Sequence, residues 1–233
     1  VQANAYEAEL PAGLASATDM CALLPCTEVF PGATHFSERK GQPPYVEAYD
    51  KAGADKKLLG YVMLSTDITD TPAYSGKPVV TLLGMDTKGI IVGVKVLKHS
   101  EPILLLGIPE SALLNFNAQY LGKSVADKIE VGQSRPDEEV LGLDAISGAT
   151  VTVIAQNQVM MASGSAVARQ VGILAPTVRD PARYVVTGKR WGWAELVKQG
   201  AVQRLRVMPE QVGLDRSPDP FIELWFGDLN QPD

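Results

Sequence analysis

The sequence PVVTLLGMDTKGIIVGVKVL occupies residues 78–97. Its two β-rich runs, residues 78–85 and 90–97, flank the short glycine-containing turn at residues 86–89, and this pattern predicts an antiparallel β-hairpin. The second run has alternating apolar positions, which predict one well-buried face of the hairpin. These positions are Ile90, Val92, Val94 and Val96, interleaved with Ile91, Gly93, Lys95 and Leu97.

A further apolar run at residues 57–65 precedes the hairpin and predicts another strand. Two helices are expected after it. The first covers residues 109–121, with Pro109 at its entry and Gly122 at its exit. The second covers residues 151–171 and carries a helical stripe of small and apolar side chains. Strands followed by helices, without regular alternation, predict an α+β fold.

The chain divides by composition into three regions. Residues 1–55 mix a short helical piece with turn-rich segments and are expected to form an N-terminal cap. Residues 56–175 hold the predicted strands and helices of the main domain. Residues 176–233 form a C-terminal extension, in which residues 205–208 are a candidate strand and residues 221–226 an amphipathic stretch.

Charge and cysteine content limit the function classes. The 233 residues carry a net charge of −6 with a pI near 5.0, which argues against nonspecific nucleic-acid binding. Cys21 and Cys26 are the two cysteines; they cannot form a structural zinc site without two further ligands, and His35 and His99 are the only histidines. A disulfide of an export compartment, two buried free thiols, and a metal-binding or redox-active pair all remain open readings of the cysteines.

Residues 144–152, DAISGATVT, form the segment with the most chemical content. Small residues let the backbone approach a bulky group, and the N–H groups that begin the second helix favour an anion such as a phosphate. The hydroxyls of Ser147, Thr150 and Thr152 add to this anion site. A plain helix start, with small residues chosen for packing, is the alternative that the residues alone allow.

This nonapeptide resembles the flavinylation motif of the FMN-binding domain family, whose pattern is Asp, a few residues, Ser/Thr-Gly-Ala-Thr, and often a further Thr after one residue. The resemblance implies an antiparallel, strand-rich FMN-binding domain with flanking helices. It also implies that a magnesium-dependent flavin transferase takes FMN from FAD and links its phosphate to Thr150. Asp144, Ser147, Gly148 and Ala149 would then be the recognition and cradle residues.

Two further segments are similar to the same family. Tyr74-Ser75-Gly76 before the hairpin resembles its Tyr-x-Gly module. Glu101-Pro102-Ile103 stands where many relatives have a Glu-Thr-Pro-Gly element facing the flavin, but this chain lacks that Thr and Gly. The resemblance implies flavin contacts at Tyr74, Glu101, Pro102 and Ile103. Met160 and Met161 could face the ring, although filling gaps in the core is the alternative role.

Several other segments resemble the branch of the family that serves nitrous oxide respiration, in residues 30–33, 41–46, 99–103, 107–110 and parts of the tail. This implies a periplasmic, soluble electron-transfer domain of a membrane protein, which supports maturation and activity of nitrous oxide reductase. The implied partners are the flavin transferase, the membrane and iron–sulfur parts of the full-length protein, and the nitrous oxide reductase system. A flavin-independent sensory or partner-binding module is the main alternative. A hydrolase using Ser147 or Thr150 with His35 or His99 is another.

Overall fold

The computed structural model describes residues 5–102, 107–132, 140–176 and 191–227. By its contacts the chain forms two compact units, Val1–Val178 and Arg179–Asp233. The first unit holds every residue of the predicted site. Ile103, which was predicted to contact flavin, lies outside the described residues.

The first unit is built on a five-stranded antiparallel sheet in the order β1-β2-β3-β4-β5. The predicted hairpin is its β4–β5 pair. Its turn is held by the Asp86 carboxylate, which accepts from the backbone N–H groups of Lys88 and Ile90 at 2.8 and 2.9 Å. The strands are β1 His35–Phe36, β2 Val46–Tyr49, β3 Leu58–Leu64, β4 Val80–Asp86 and β5 Ile91–Lys98.

The prediction of one buried face in the second run of the hairpin is wrong in its register. A bulge between Gly84 and Met85 shifts the pairing with β5, so that Gly84 lies opposite Gly93 and Met85 opposite Ile91. Val92 falls between these pairs and is exposed, whereas Ile91 is fully buried. An extra residue in one strand of a pair breaks the two-residue alternation on which the prediction depended.

One face of the sheet packs against two helices, α2 Glu110–Ala118 and α3 Thr150–Gln170. Both predicted helices are thereby confirmed, within a few residues at their ends. Helix α3 buries the predicted stripe, with Val153, Met160 and Val167 at most 1% exposed. They join a cluster with side chains of β3, β4 and β5, namely Tyr61, Met63, Leu83, Met85 and Ile91.

The opposite face of the sheet is covered by the N-terminal segment. Its short helix α1 Cys26–Val29 lies so close to the sheet that an added Cβ at Gly84 or Gly93 would fall 2.3 or 2.1 Å from the Val29 carbonyl oxygen. Val62 and Leu64 of β3 face this layer, as alternation along a strand requires. Cys21 and Cys26 are joined by a disulfide, so the alternative of two free thiols is wrong.

A short parallel pair leads into the predicted site. Strand β6 Ile129–Val131 pairs with β7 Leu141–Leu143, and Ile129 and Leu143 enter the same core cluster as α3. The chain then runs directly from β7 into the segment that precedes α3. The site loop is therefore anchored at both ends by buried residues.

The second unit, over residues 191–227, contains helix α4 Trp193–Lys198 and an antiparallel pair, β8 Val202–Val207 with β9 Ile222–Gly227. Arg204 pairs with Glu223 across this ribbon at 2.7 Å, and Trp193 packs edge-on against Trp225. Among the described residues, no helix combines the length and apolarity needed to cross a bilayer. A strand-dominated sheet with a few helices confirms the predicted α+β class.

Candidate functional site

The loop before α3 makes a tight turn. Gly148 has φ +80°, a left-handed conformation that side-chain-bearing residues rarely adopt. The backbone N–H of Ala149 donates to the carbonyl oxygen of Ile146 at 3.0 Å and closes the turn. Ala149 is buried beneath it, whereas Ser147 and Gly148 lie exposed at the surface.

Thr150 is the first residue of α3, and its side chain is exposed. The residue that precedes it, Ala149, has no side chain able to cap the helix, and the first turn contains no acidic residue. The first intrahelical bond runs from the N–H of Val153 to the carbonyl of Ala149. The amides of the first turn therefore point outward without an intrahelical acceptor, beside the Thr150 hydroxyl, where an anion would be stabilised.

Asp144 is positioned through its backbone. Its N–H donates to Gln119 Oε1 at 2.8 Å, and Gln119 Nε2 donates to the Asp144 carbonyl at 3.2 Å, while the Asp144 side chain stays exposed. A cleft of about 410 Å³ opens between this loop and α2. Its lining residues are Ala112, Asn115, Phe116, Gln119, Asp144, Ala145 and Ile146.

Thr152 and Glu101 form a buried pair beneath the first turn of α3. Both are 0% exposed, and the Thr152 hydroxyl donates to Glu101 Oε2. The same carboxylate accepts from the backbone N–H groups of Tyr74 at 3.2 Å and Ser75 at 3.0 Å. The structure thus brings three sequence-predicted residues together, with Glu101 inside the fold rather than at its surface.

Three exposed apolar side chains belong to the segments that border this turn. The Tyr74 side chain is 59% exposed, and its backbone is held against α3 by the oxygen that also accepts from Thr152. On the outer side of α3, Val151 and Ile154 are exposed by 51% and 44%. Pro102 is half-buried next to Glu101 in the chain.

His99 lies just before this pair and is 1% exposed. Its Nδ1 accepts from the Glu101 N–H at 3.3 Å, and its Nε2 lies 3.6 Å from Glu110 Oε1, which accepts from the Ala5 N–H at 2.7 Å. Burial lowers the pKa of the His99 imidazole, and the nearby Glu110 carboxylate opposes that shift. Within the described residues, neither histidine hydrogen-bonds to Ser147 or Thr150, so the hydrolase reading has no base beside either hydroxyl.

Sequence reasoning missed Gln119 and Glu110. Glu110 is the first residue of α2 and Gln119 follows its last residue, and only the fold brings them to the site. Met160 is 1% exposed within the core, which favours the gap-filling role over contact with a ring. Among the described residues, no cluster of three or more histidine, cysteine or acidic side chains could hold a metal ion.

Comparisons with known proteins place part of this chain in a family and identify relatives. Residues 74–162 match the FMN-binding domain family. The regulatory protein NosR of Stutzerimonas stutzeri is 36% identical over 195 residues, covering 76% of this chain and 27% of that protein. NosR of Pseudomonas aeruginosa is 34% identical over 224 residues, covering 88% of this chain and 31% of that protein.

A third relative, protein NirI of Paracoccus denitrificans, is 25% identical over 187 residues, covering 76% of this chain and 26% of that protein. The chain thus spans less than a third of the length of these relatives. The family match begins at Tyr74 and ends within α3, so it contains the hairpin, the buried Glu101–Thr152 pair and the loop that ends at Thr150. Over residues 74–162, the chain belongs to the FMN-binding domain family.

Proposed function

We propose that this domain carries FMN joined through its phosphate to the side-chain oxygen of Thr150, and that it relays electrons outside the cytoplasm. The observation that carries the proposal is the position of Thr150. It is an exposed hydroxyl at the first residue of a 21-residue helix, where outward-facing amides would stabilise a phosphate.

The other two hydroxyls of the motif are less suited to this role. Thr152 is fully buried and donates to Glu101, so a transferase could not reach it without opening the core. Ser147 is exposed but precedes the left-handed Gly148, outside the helix. Thr150 alone of the three combines exposure with a place in the first turn of α3.

The rest of the site fits the proposed cofactor. Tyr74, Val151 and Ile154 supply aromatic and aliphatic surface beside the phosphate position, which suits a planar, largely apolar ring. Glycine at 148 lets the backbone turn tightly there, and Asp144 remains free at the surface for recognition by the transferase. Bound FMN would accept and donate electrons, while the chain anchors and orients it.

No base for the attachment step is needed in this chain. An alcohol attacks a pyrophosphate only when a base or metal activates it, and the proposed magnesium-dependent transferase would supply both. The bond formed joins the Thr150 oxygen to the FMN phosphorus, and the bond broken is the pyrophosphate bond of FAD, with AMP leaving. The flavin transferase is therefore the first partner that the proposal requires.

An extracytoplasmic, nitrous oxide-linked role rests on two findings. The Cys21–Cys26 disulfide suits an oxidising compartment such as the periplasm. The relatives are named NosR and NirI, and the alignments with NosR cover most of this chain. Membrane and iron–sulfur parts of a longer protein, and the nitrous oxide reductase system, are the proposed partners in electron transfer.

The test is coexpression with a flavin transferase, followed by intact-mass and peptide-mass measurement. We expect the wild type to gain the mass of one FMN less one water on the peptide containing Thr150. Thr150→Val should abolish this gain while the fold persists, whereas Thr150→Ser should keep it because the alcohol remains. Thr27→Val, at an exposed threonine in the first turn of α1 on the opposite face of the sheet, is the matched control and should be labelled like the wild type. Label that survives in Thr150→Val would refute the assignment.

A flavin-independent regulatory module is the second candidate, favoured by the name "regulatory protein" that the NosR relatives carry. The two proposals make different predictions for the flavin content of protein purified from its native host. Covalent flavin in protein purified from its native host supports the electron-transfer role. Colourless native protein that still acts on reductase expression would support the regulatory role.

A further inference from the structure

Glu101 is a fully buried carboxylate that none of the ion pairs within the described residues includes. Burying such a group is costly unless hydrogen bonds compensate. Three donors do so here, the N–H groups of Tyr74 and Ser75 and the hydroxyl of Thr152. An apolar residue of similar size in place of Glu101 would avoid the cost of desolvating a carboxylate. The role of Glu101 is therefore sought in the segments that its carboxylate connects.

The carboxylate connects the two segments that border the proposed FMN position. One is the loop that carries the exposed Tyr74 side chain, and the other is the first turn of α3. A single oxygen, Oε2, accepts from both Tyr74 and Thr152. The loop and the helix start are therefore fixed relative to each other by one side chain.

The first turn of α3 needs such support because local sequence disfavours it. Residues 150–154 are all β-branched, and side chains of this kind lose rotamer freedom in a helix. The N-cap residue is Ala149, which offers no side-chain acceptor, a deficit worth about 1 kcal/mol relative to a good cap. The bond from Thr152 to Glu101 is a tertiary hydrogen bond that supports this turn, in addition to the packing of Val153 in the core.

The backbone of Glu101 is held by the buried His99 and, through it, by the N-terminal segment. Its N–H donates to Nδ1 of the buried His99, and the His99 backbone pairs with the N-terminal segment through Ala5 and Glu7. Several elements thus converge on one acidic side chain.

We infer that Glu101 is a positioning residue for flavin attachment, acting through Thr152 to keep the first turn of α3 helical. When this turn is helical, the Thr150 hydroxyl and the first-turn amides lie on the surface beside each other, where the transferase can bring the FMN phosphate to both. The inference rests on the proposed function at Thr150. It assigns Glu101 and Thr152 to the support of the acceptor rather than to contact with the ring.

The test compares rates of FMN attachment by purified transferase, with FAD and magnesium, on chains purified without flavin. Thr152→Val keeps the side-chain shape but removes the hydroxyl, and we expect attachment to slow at least about tenfold, as loss of a hydrogen bond to a charged group would give. Thr152→Ser should restore a rate close to the wild type. Ser163→Ala, a buried hydroxyl farther along the same helix, is the matched control and should not slow attachment.

Two further measurements separate positioning from general damage. Amide hydrogen exchange in Thr152→Val should accelerate at residues 153–156, whose amides donate to carbonyls of the first turn and its cap, and not in β3 or β4, whereas a merely destabilised fold would exchange faster throughout. Glu101→Gln should slow attachment in the wild type and slow it by a smaller factor in the Thr152→Val background, because the two substitutions share the Thr152–Glu101 bond while Glu101 also accepts from Tyr74 and Ser75.

The outcomes distinguish the inference from the function on which it rests. A labelled wild type together with equally fast labelling of Thr152→Val overturns the inference and leaves Thr150 as acceptor. Additive effects of the two substitutions also overturn it, since Glu101 would then act by another route. If the wild type takes up no FMN on Thr150, the proposed function and the inference both fail.

Discussion

Thr150 and Thr152 are two residues apart in the same turn of α3, yet their surroundings are opposite. Successive helical residues are rotated by about 100°, so side chains two apart point to different sides of the helix. Thr150 faces solvent, while Thr152 faces the Glu101 carboxylate inside the fold. The two hydroxyls of the motif are chemically alike, and only their helical positions separate an acceptor from a support.

His99 gives a prediction on pH. Burial lowers the pKa of its imidazole below the ordinary value of 6.5, although Glu110, Glu101 and Glu7 oppose the shift. The unfolded chain then binds a proton more readily than the folded chain. The free energy of unfolding should therefore fall as pH drops through and below 6.5, by at most about 1.4 kcal/mol per pH unit from this group.

Urea unfolding at several pH values between about 7.5 and 5.5 measures this effect. His99→Gln keeps an acceptor for the Glu101 N–H and should flatten the curve. His35→Gln, at the only other histidine and on β1, is the matched control and should leave the His99 contribution in place. Equal pH dependence in the wild type and His99→Gln would contradict the prediction.

Helix α3 has a buried side and an exposed side, and two valines only two residues apart in its first turn lie on opposite sides. Val153 is 0% exposed against the sheet, and Val151 is 51% exposed. We expect Val153→Ala to lower the free energy of unfolding by about 2–3 kcal/mol, through lost burial and the cavity left behind. Val151→Ala should change it by no more than about 0.5 kcal/mol, because Ala favours a helix more than Val and little surface is lost. Similar losses from both substitutions, measured by chemical denaturation, would mean that the helix is rotated from this placement.

The long periodic elements were predictable from sequence, whereas the short ones were not. The β4–β5 hairpin and helices α2 and α3 each repeat their pattern over enough residues to fix their type. Strands β1 and β2 have two and four residues, too few for a pattern, and they join the sheet from a region predicted only as a cap. The burial of Glu101 was also unpredictable, since its donors come from residues 74–75 and 152, which only the fold brings together.

At the scale of the whole molecule, the first unit is a three-layer structure. The sheet lies between α2 and α3 on one side and the N-terminal segment on the other, and each side has its own apolar cluster. Within the described residues, the members of these clusters lie between Leu10 and Leu174. The N-terminal segment is therefore as much a part of the core as the helices that follow the motif.

This layering makes a prediction about where the FMN-binding domain ends. The family match stops at residue 162, but α3 continues to Gln170 and buries Val167 and Ala168 fully beyond that point. A chain ending at residue 178 should keep its thermal midpoint within about 3 °C and take up FMN on Thr150 as the full chain does. A chain ending at residue 162 loses a Val side chain worth about 1.5–3 kcal/mol of burial together with the last turns of α3, and its midpoint should fall by roughly 5 °C or more. Calorimetry of the two truncations decides the matter, because equal midpoints would place the end of the folding unit at the family boundary rather than at the end of the helix.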